Sequence, residues 1–440
     1  MSKADDEGRR RFLRAAGGLG CLPFVSLVAT AGSTPASIQR SARGTPWPTW
    51  RRTMAVNTWR AIPSANTLRA INPARDPALN PALATDPDNE RGPWGGNVGQ
   101  PGVILPWCGA CYDSDSETLW LPLSGGHADY AGNEAYAICL ADETPRWRMP
   151  RPPSGSIPLG LINLNDGQEG TGNYADGRPR AIHSYNKHVY VPGRGPFCAM
   201  QGNTYSSGQA GTPRSLLLNP QNGEWEVRGS HPAAGLGYGG SAYDQTRDAV
   251  WWLGGGTTRL SRFNFSTSQW QVFTSGSVAN VWSYHALVHV PEHDVLVMIS
   301  ALLPHSFSVW DTTTAQMLQP GSSNALPAHL QLGGQAGAWV PSLNAIAIWH
   351  NVTPGTTGVV TLLRAPANPR TQPWTWDTLP LAAGNTVVPT VATANGTYGR
   401  FGYSPGLNGF YVLNGTDQPV YFYALSGGDL IFANGFEAPR

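Results

Sequence analysis

The stretch Trp282–Ala301, WSYHALVHVPEHDVLVMISA, reads as an apolar strand, a tight turn at Pro291 and a second apolar strand. The same pattern recurs five more times: ACYDSDSETLWLPLSGG from Ala110, SYNKHVYVPGRGPFCAMQG from Ser184, SAYDQTRDAVWWLGGG from Ser241, GAWVPSLNAIAIWHN from Gly337 and FGYSPGLNGFYVLNG from Phe401. The turn residues are Asp113, Pro192, Asp244, Pro291, Pro341 and Pro405. A hairpin repeating at roughly 50 residues implies a radial array of sheets. One hairpin cannot bury its apolar face alone, but a closed ring of them can.

This repetition predicts an all-β, six-bladed propeller with four antiparallel strands per blade, spanning 50–426. A seventh blade is possible if residues 64–104 hide a degenerate repeat. Composition agrees: charged residues are only 13%, against 52 Gly, 38 Pro and 17 Trp. Few charges with many turn formers and aromatics suit strands and turns, not disorder. A net charge of +1 excludes the electrostatic footprint of a nucleic-acid binder. The sixth repeat ends at Tyr421–Ala424 without a Trp-bearing outer strand, while Asn57–Ile62 forms an isolated one around Trp59. The expectation is that this N-terminal strand completes the last blade and closes the ring.

Arg9-Arg10-Arg11-Phe12-Leu13-Arg14 precedes an apolar run to Ala31. This resembles a twin-arginine export signal, so residues 1–31 are expected to be a signal peptide cut near Ala31 and 32–49 a linker. The mature protein is then expected in the periplasm or outside the cell, as a monomer without a membrane segment. Residues 427–440 form a separate C-terminal tail. Cys108, Cys111, Cys139 and Cys198 remain after cleavage, and buried thiols or one disulfide are favoured over a zinc site because Cys108 and Cys111 fall in an expected strand over 105–112. No cofactor or metal-ligand set is assigned.

Aligning the repeats places Trp107, Asn186, Tyr238, His285, Gln335 and Gly399 at one position, with Pro106, Tyr185, Gly237, Tyr284, Gly334 and Tyr398 just before it. Both sets are expected to ring the mouth of the central channel. The polar segment Gly125–Glu134, the long insertion Arg151–Arg180, and Arg259, His305 and His350 are expected to surround it. Here His127, Tyr130, Tyr284 and His285 are the candidate acid–base groups, with Asp129 orienting the His127 imidazole. Trp107, Asn133, Arg180, His183, Tyr185, Asn186, Tyr238, Arg259, Gln335 and Tyr398 are the candidate substrate-binding groups, Trp107 and Tyr238 by stacking on sugar rings.

The Gly pair after the second strand, as at Gly125-Gly126 and Gly254-Gly255, with an aromatic in the third and a Trp in the fourth, resembles kelch repeats. That resemblance covers nearly all of the mature chain and implies fold rather than activity. Propeller polysaccharide lyases use His, Tyr and Arg, and a similar set here implies β-elimination on a uronate-containing extracellular polysaccharide or oligosaccharide. A binding propeller without catalysis fits the same face. The adjacent Tyr284-His285 also resembles the Tyr-His ligand pair of galactose oxidase, with Cys108 and Tyr185 near that family's cross-linked pair. This would imply a copper radical oxidase, for which His350 is the candidate second imidazole.

Overall fold

Pro291–His293 and Pro341–Leu343 each form a single 3-10 turn, closed by Asp294 and Asn344 in the left-handed conformation at φ 51° and 45°. Proline presets the first φ, and Asp or Asn tolerates the last. The repeated Pro turn therefore folds each flanking apolar pair into a hairpin, such as Ala286–Val290 against Val295–Ile299.

In the computed structural model, described for residues 46–425 except 90, 169–170, 207–211, 233–237, 255–258, 274–283 and 302, these hairpins seed six four-stranded antiparallel sheets. Blade one holds Cys111–Asp113, Thr118–Pro122, Ala135–Cys139 and Arg148–Arg151. Blade two holds His188–Val191, Gly195–Cys198, Arg214–Leu218 and Trp225–Ser230, and blade three Gly239–Asp244, Ala249–Gly254, Leu260–Asn264 and Gln269–Val272. Blade four holds Ala286–Val290, Val295–Ile299, Phe307–Asp311 and Met317–Leu318, and blade five Ala336–Val340, Ala345–Trp349, Thr361–Arg364 and Thr375–Thr378. Blade six takes Phe401–Ser404, Gly409–Val412 and Tyr421–Ala424 from the end of the chain and Trp59–Ala61 from its beginning.

The closing strand pairs as expected, Trp59 opposite Tyr423 and Ala61 opposite Tyr421. Trp59 is buried, its indole N–H donates to the Gly358 carbonyl of blade five at 2.8 Å, and its ring meets Tyr423 edge-on at 5.3 Å. Blade six is also tied to blade one. Glu117 accepts from the Tyr112 hydroxyl at 2.7 Å, from the Gly406 amide at 2.8 Å and from the Ser404 hydroxyl. The described residues of 64–104 carry five short 3-10 turns and no strand, so six blades is the count among the described residues.

Two local expectations are corrected. The sequence Asn133–Leu140 suggests in–out alternation, but the middle strands Ala135–Cys139 and Val295–Ile299 are buried at every position, because neighbouring blades cover both faces. The inner strand of blade one begins at Cys111, not 105, so Cys108 precedes it; the irregular lead-in includes Trp107 at φ 51°. All four cysteines among the described residues are buried free thiols. No helix among the described residues is long and apolar enough to cross a membrane. The expected signal and tail lie outside the described residues.

Candidate functional site

The segments leading into the inner strands meet at one end of the ring and share a backbone device. The Tyr185 amide donates to the Trp107 carbonyl at 2.8 Å, Gly334 to Tyr284 at 2.9 Å and Tyr398 to Gly334 at 3.0 Å. Each bond joins one blade to an adjacent blade. To aim these amides, Tyr185, Tyr398 and Gly334 take positive φ of 42°, 48° and 116°. Left-handed conformations are costly for bulky side chains and persist where the surroundings over-determine them, often at functional sites.

That twist turns the aromatic rings inward. Tyr185 stacks on Tyr284 at 5.7 Å and meets Tyr238 and Tyr398 edge-on at 5.3 and 5.7 Å. On its other side it meets His183 at 6.0 Å, and His183 in turn touches Trp107 at 5.2 Å and His127 at 4.5 Å. The sequence-predicted residues Trp107, His127, His183, Tyr185, Tyr238, Tyr284 and Tyr398 are therefore one cluster. Below the rings the axis is plugged by Asn186, whose side-chain amide donates to the carbonyls of His285 at 2.8 Å and Gln335 at 3.4 Å.

His183 is held by a close approach that only glycine permits. Gly125 and Gly126 both donate to the Ile182 carbonyl, and a Cβ on Gly126 would sit 2.3 Å from His183 Nε2. The loop that follows delivers Asp129, whose Oδ2 lies 2.8 Å from His183 Nε2. Asp129 thus orients His183 and not His127, which is exposed at the rim. Burial is the largest influence on His183 and lowers its pKa to about 4, with the Asp129 hydrogen bond opposing. The imidazole is neutral at neutral pH, with Nε2–H facing Asp129 and Nδ1 without a protein partner among the described residues.

Two residues here were missed from the sequence. Lys187 and Asn203 line a cavity of about 10 Å³ with His127, His183, Tyr185 and Tyr238. Lys187 is 1% exposed, donates to the Gln201 carbonyl at 3.1 Å and lies 5.3 Å above the Tyr185 ring. No carboxylate pairs with it among the described residues, and burial lowers its pKa to about 8. Spacing could not have shown this placement, because Tyr185 at φ 42° and the turn closed by the Lys187 amide on the Ser184 carbonyl interrupt any strand alternation before His188. Burial raises the pKa of Tyr185, Tyr284 and Tyr398, so these phenols stay protonated.

Other predicted residues lie elsewhere. His285 is fully buried, and its Nε2 accepts from the Gly240 amide at 3.0 Å, which removes it from the pocket. Gln335 is fully buried and bonded to the Ile299 carbonyl and Gly333 amide. Tyr130 is buried in blade one beside Glu134, whose pKa burial raises to about 7. Asn133 and Arg180 anchor the insertion instead of facing a ligand: Asn133 binds Ser154 and Pro179, and Arg180 binds the carbonyls of Asn173 and Tyr205. Arg259 and His305 are exposed, with no contact joining them to the cluster. A copper site of the galactose oxidase kind does not fit, because the one imidazole lone pair of His285 is taken by the Gly240 amide, although His350, held through Nδ1 by Thr397 at 2.9 Å, keeps Nε2 without a protein partner among the described residues. Asp244, His289 and Asp294 have metal-compatible spacing, but Arg247 already bridges both carboxylates at 2.6–3.0 Å.

The chain matches no family model and no curated protein. Among solved structures it is similar to a structural genomics protein of unknown function from Bacteroides thetaiotaomicron VPI-5482, at 11% identity and a TM-score of 0.45, over 83% of this chain and 75% of that chain.

Proposed function

We propose that this propeller is an exported lyase that cleaves a uronate-containing glycan by β-elimination at the channel mouth. The observation that carries the reading is the buried, carboxylate-free Lys187 sharing one cavity with the Asp129-bound His183 and the protonated Tyr185. A buried ammonium without a counter-ion is costly, and a ligand carboxylate would relieve that cost. Elimination needs those three group types. Lys187 neutralises the uronate carboxylate and so acidifies the adjacent C5–H. Nδ1 of neutral His183 takes that proton. As the C4–C5 double bond forms and the C4–O bond breaks, the Tyr185 hydroxyl protonates the departing oxygen. Trp107 and Tyr238 offer faces for flanking sugar rings. The cavity holds no more than a water, so the polymer lies across the mouth and presents only its carboxylate inward.

The test is to incubate the protein with a panel of polyuronates and follow the ultraviolet absorbance of the unsaturated product. Turnover lost in His183→Ala and Lys187→Met supports the reading; turnover unchanged in both overturns it. Binding without turnover is the second reading, favoured by the low basicity of His183. Affinity for a polyuronate that needs Lys187, with no unsaturated product from any polymer, would select it.

A further inference from the structure

Lys187 is a fixed charge at the channel mouth. Its ammonium donates to the Gln201 carbonyl at 3.1 Å and lies 5.3 Å above the Tyr185 ring. Gln201 is itself locked. Its side-chain amide donates to the Gly172 carbonyl of the insertion at 2.8 Å, and its Oε1 accepts from Thr212 at 2.9 Å and from Arg214 at 2.7 Å. At 1% exposure the lysine does not carry its charge out to water as surface lysines do. An anion that pairs with it has to come to the cavity it lines.

The surrounding groups leave that task to Lys187 alone. It is the one lysine or arginine lining the cavity. The nearby guanidinium groups are engaged: Arg180 by the carbonyls of Asn173 and Tyr205, Arg178 by Asp176, and Arg214 by Gln201 and Asn173. The Asp129 carboxylate is engaged by His183.

The cavity, about 10 Å³, has room for one oxygen-sized group. It therefore senses one property of a uronate, the charge on its C6 group. A free carboxylate and a methyl ester both present an oxygen of the right size. The carboxylate compensates the buried ammonium. The ester oxygen accepts a hydrogen bond and leaves the charge uncompensated. The two differ as a buried charge pair differs from the same pair with one partner truncated, which is about 30-fold or more in affinity. The chemistry points the same way. An ester acidifies its C5–H without help, so a built-in cation is matched to the free acid.

We infer that the channel mouth selects free uronates against uronate esters, with Lys187 as the specificity-determining residue, and that on esterified polymers an ester hydrolysis must supply its substrate. This rests on the reading that Lys187 takes the uronate carboxylate, and needs no turnover to be true.

The probes are polygalacturonate, alginate and hyaluronate, each as the free polyuronate and as its methyl ester at matched chain length. Calorimetry on the full chain reads affinity, and ultraviolet absorbance reads elimination. At least one free polymer is expected to bind, and its ester to bind about 30-fold more weakly or worse. In Lys187→Met the two forms should bind within about threefold of each other, since neither then meets a cation. A merely structural role for Lys187 would shift both affinities together and keep their ratio. The inference is overturned, with the lyase reading intact, if the parent binds and cleaves ester and free acid alike, or if Lys187→Met keeps the preference. Both fall if no free polyuronate binds the parent at about 10 mM uronate, well above ordinary ligand affinities. A preference for the free acid that depends on Lys187, with no unsaturated product, overturns the lyase reading and upholds the selection.

Discussion

Replacing Lys187 by Met should make the protein more stable while removing its function. Lys187 is 1% exposed and keeps one hydrogen bond and one ring face as partners. Burial lowers its pKa from the ordinary 10.5 to about 8. At about 1.4 kcal/mol per pH unit, that drop corresponds to about 3 kcal/mol by which the charged side chain destabilises the fold below its folded pKa. Methionine has a similar unbranched length and no charge. It leaves the Gln201 carbonyl without its donor, which costs about 1 kcal/mol. The variant should therefore be about 2 kcal/mol more stable at neutral pH. The pH dependence carries a definite sign. Between about 8 and 10.5 the unfolded chain still holds the lysine proton that the folded chain has lost, so parent stability rises with pH across that window. The variant lacks that rise. Urea denaturation at neutral pH and near pH 10.5 measures both quantities. A variant less stable than the parent at neutral pH, or a difference that does not change with pH, would refute the unpaired buried ammonium on which the proposed site depends.

Trp59→Ala should cost about 3–5 kcal/mol in chemical denaturation, because it empties a core position at the seam closing the ring; a loss under about 1 kcal/mol would mean closure does not depend on it. On an active polyuronate, kcat/KM should rise as pH climbs through about 4, where His183 loses its proton, and fall through about 8, where Lys187 loses its own. Asp129→Asn should lower kcat about 100-fold or more and move the acid limb to lower pH, since the carboxylate favours the imidazolium; an unmoved limb would assign it to another group. Protein recovered outside the cytoplasm should begin near Gly32, and lysines at Arg9 and Arg10 should retain it inside, as cell fractionation and N-terminal sequencing would show.

The ring was legible in the chain because its cause is local. Each Pro or Asp turn with its flanking apolar runs specifies one hairpin, and the orphan strand at Trp59 matches the outer strand missing after Tyr421. Repeat alignment also located the tyrosines, since equivalent positions of a radial array converge on one axis. Tyr185, Tyr238, Tyr284 and Tyr398 do meet there. The same alignment failed for His285 and Gln335, which turn away from the mouth and bond to Gly240 and Ile299. Register places a backbone atom; backbone φ and neighbouring hydrogen bonds decide where its side chain goes. Asp129 reaching His183 required a glycine approach across two blades, and the missing counter-ion of Lys187 emerged only when every neighbouring carboxylate had a position. Local patterning determined the hairpins and their closure. Which ionisable groups share a low-dielectric site, and which lack a partner, was decided by contacts between residues distant in sequence, and those exist only in the assembled ring.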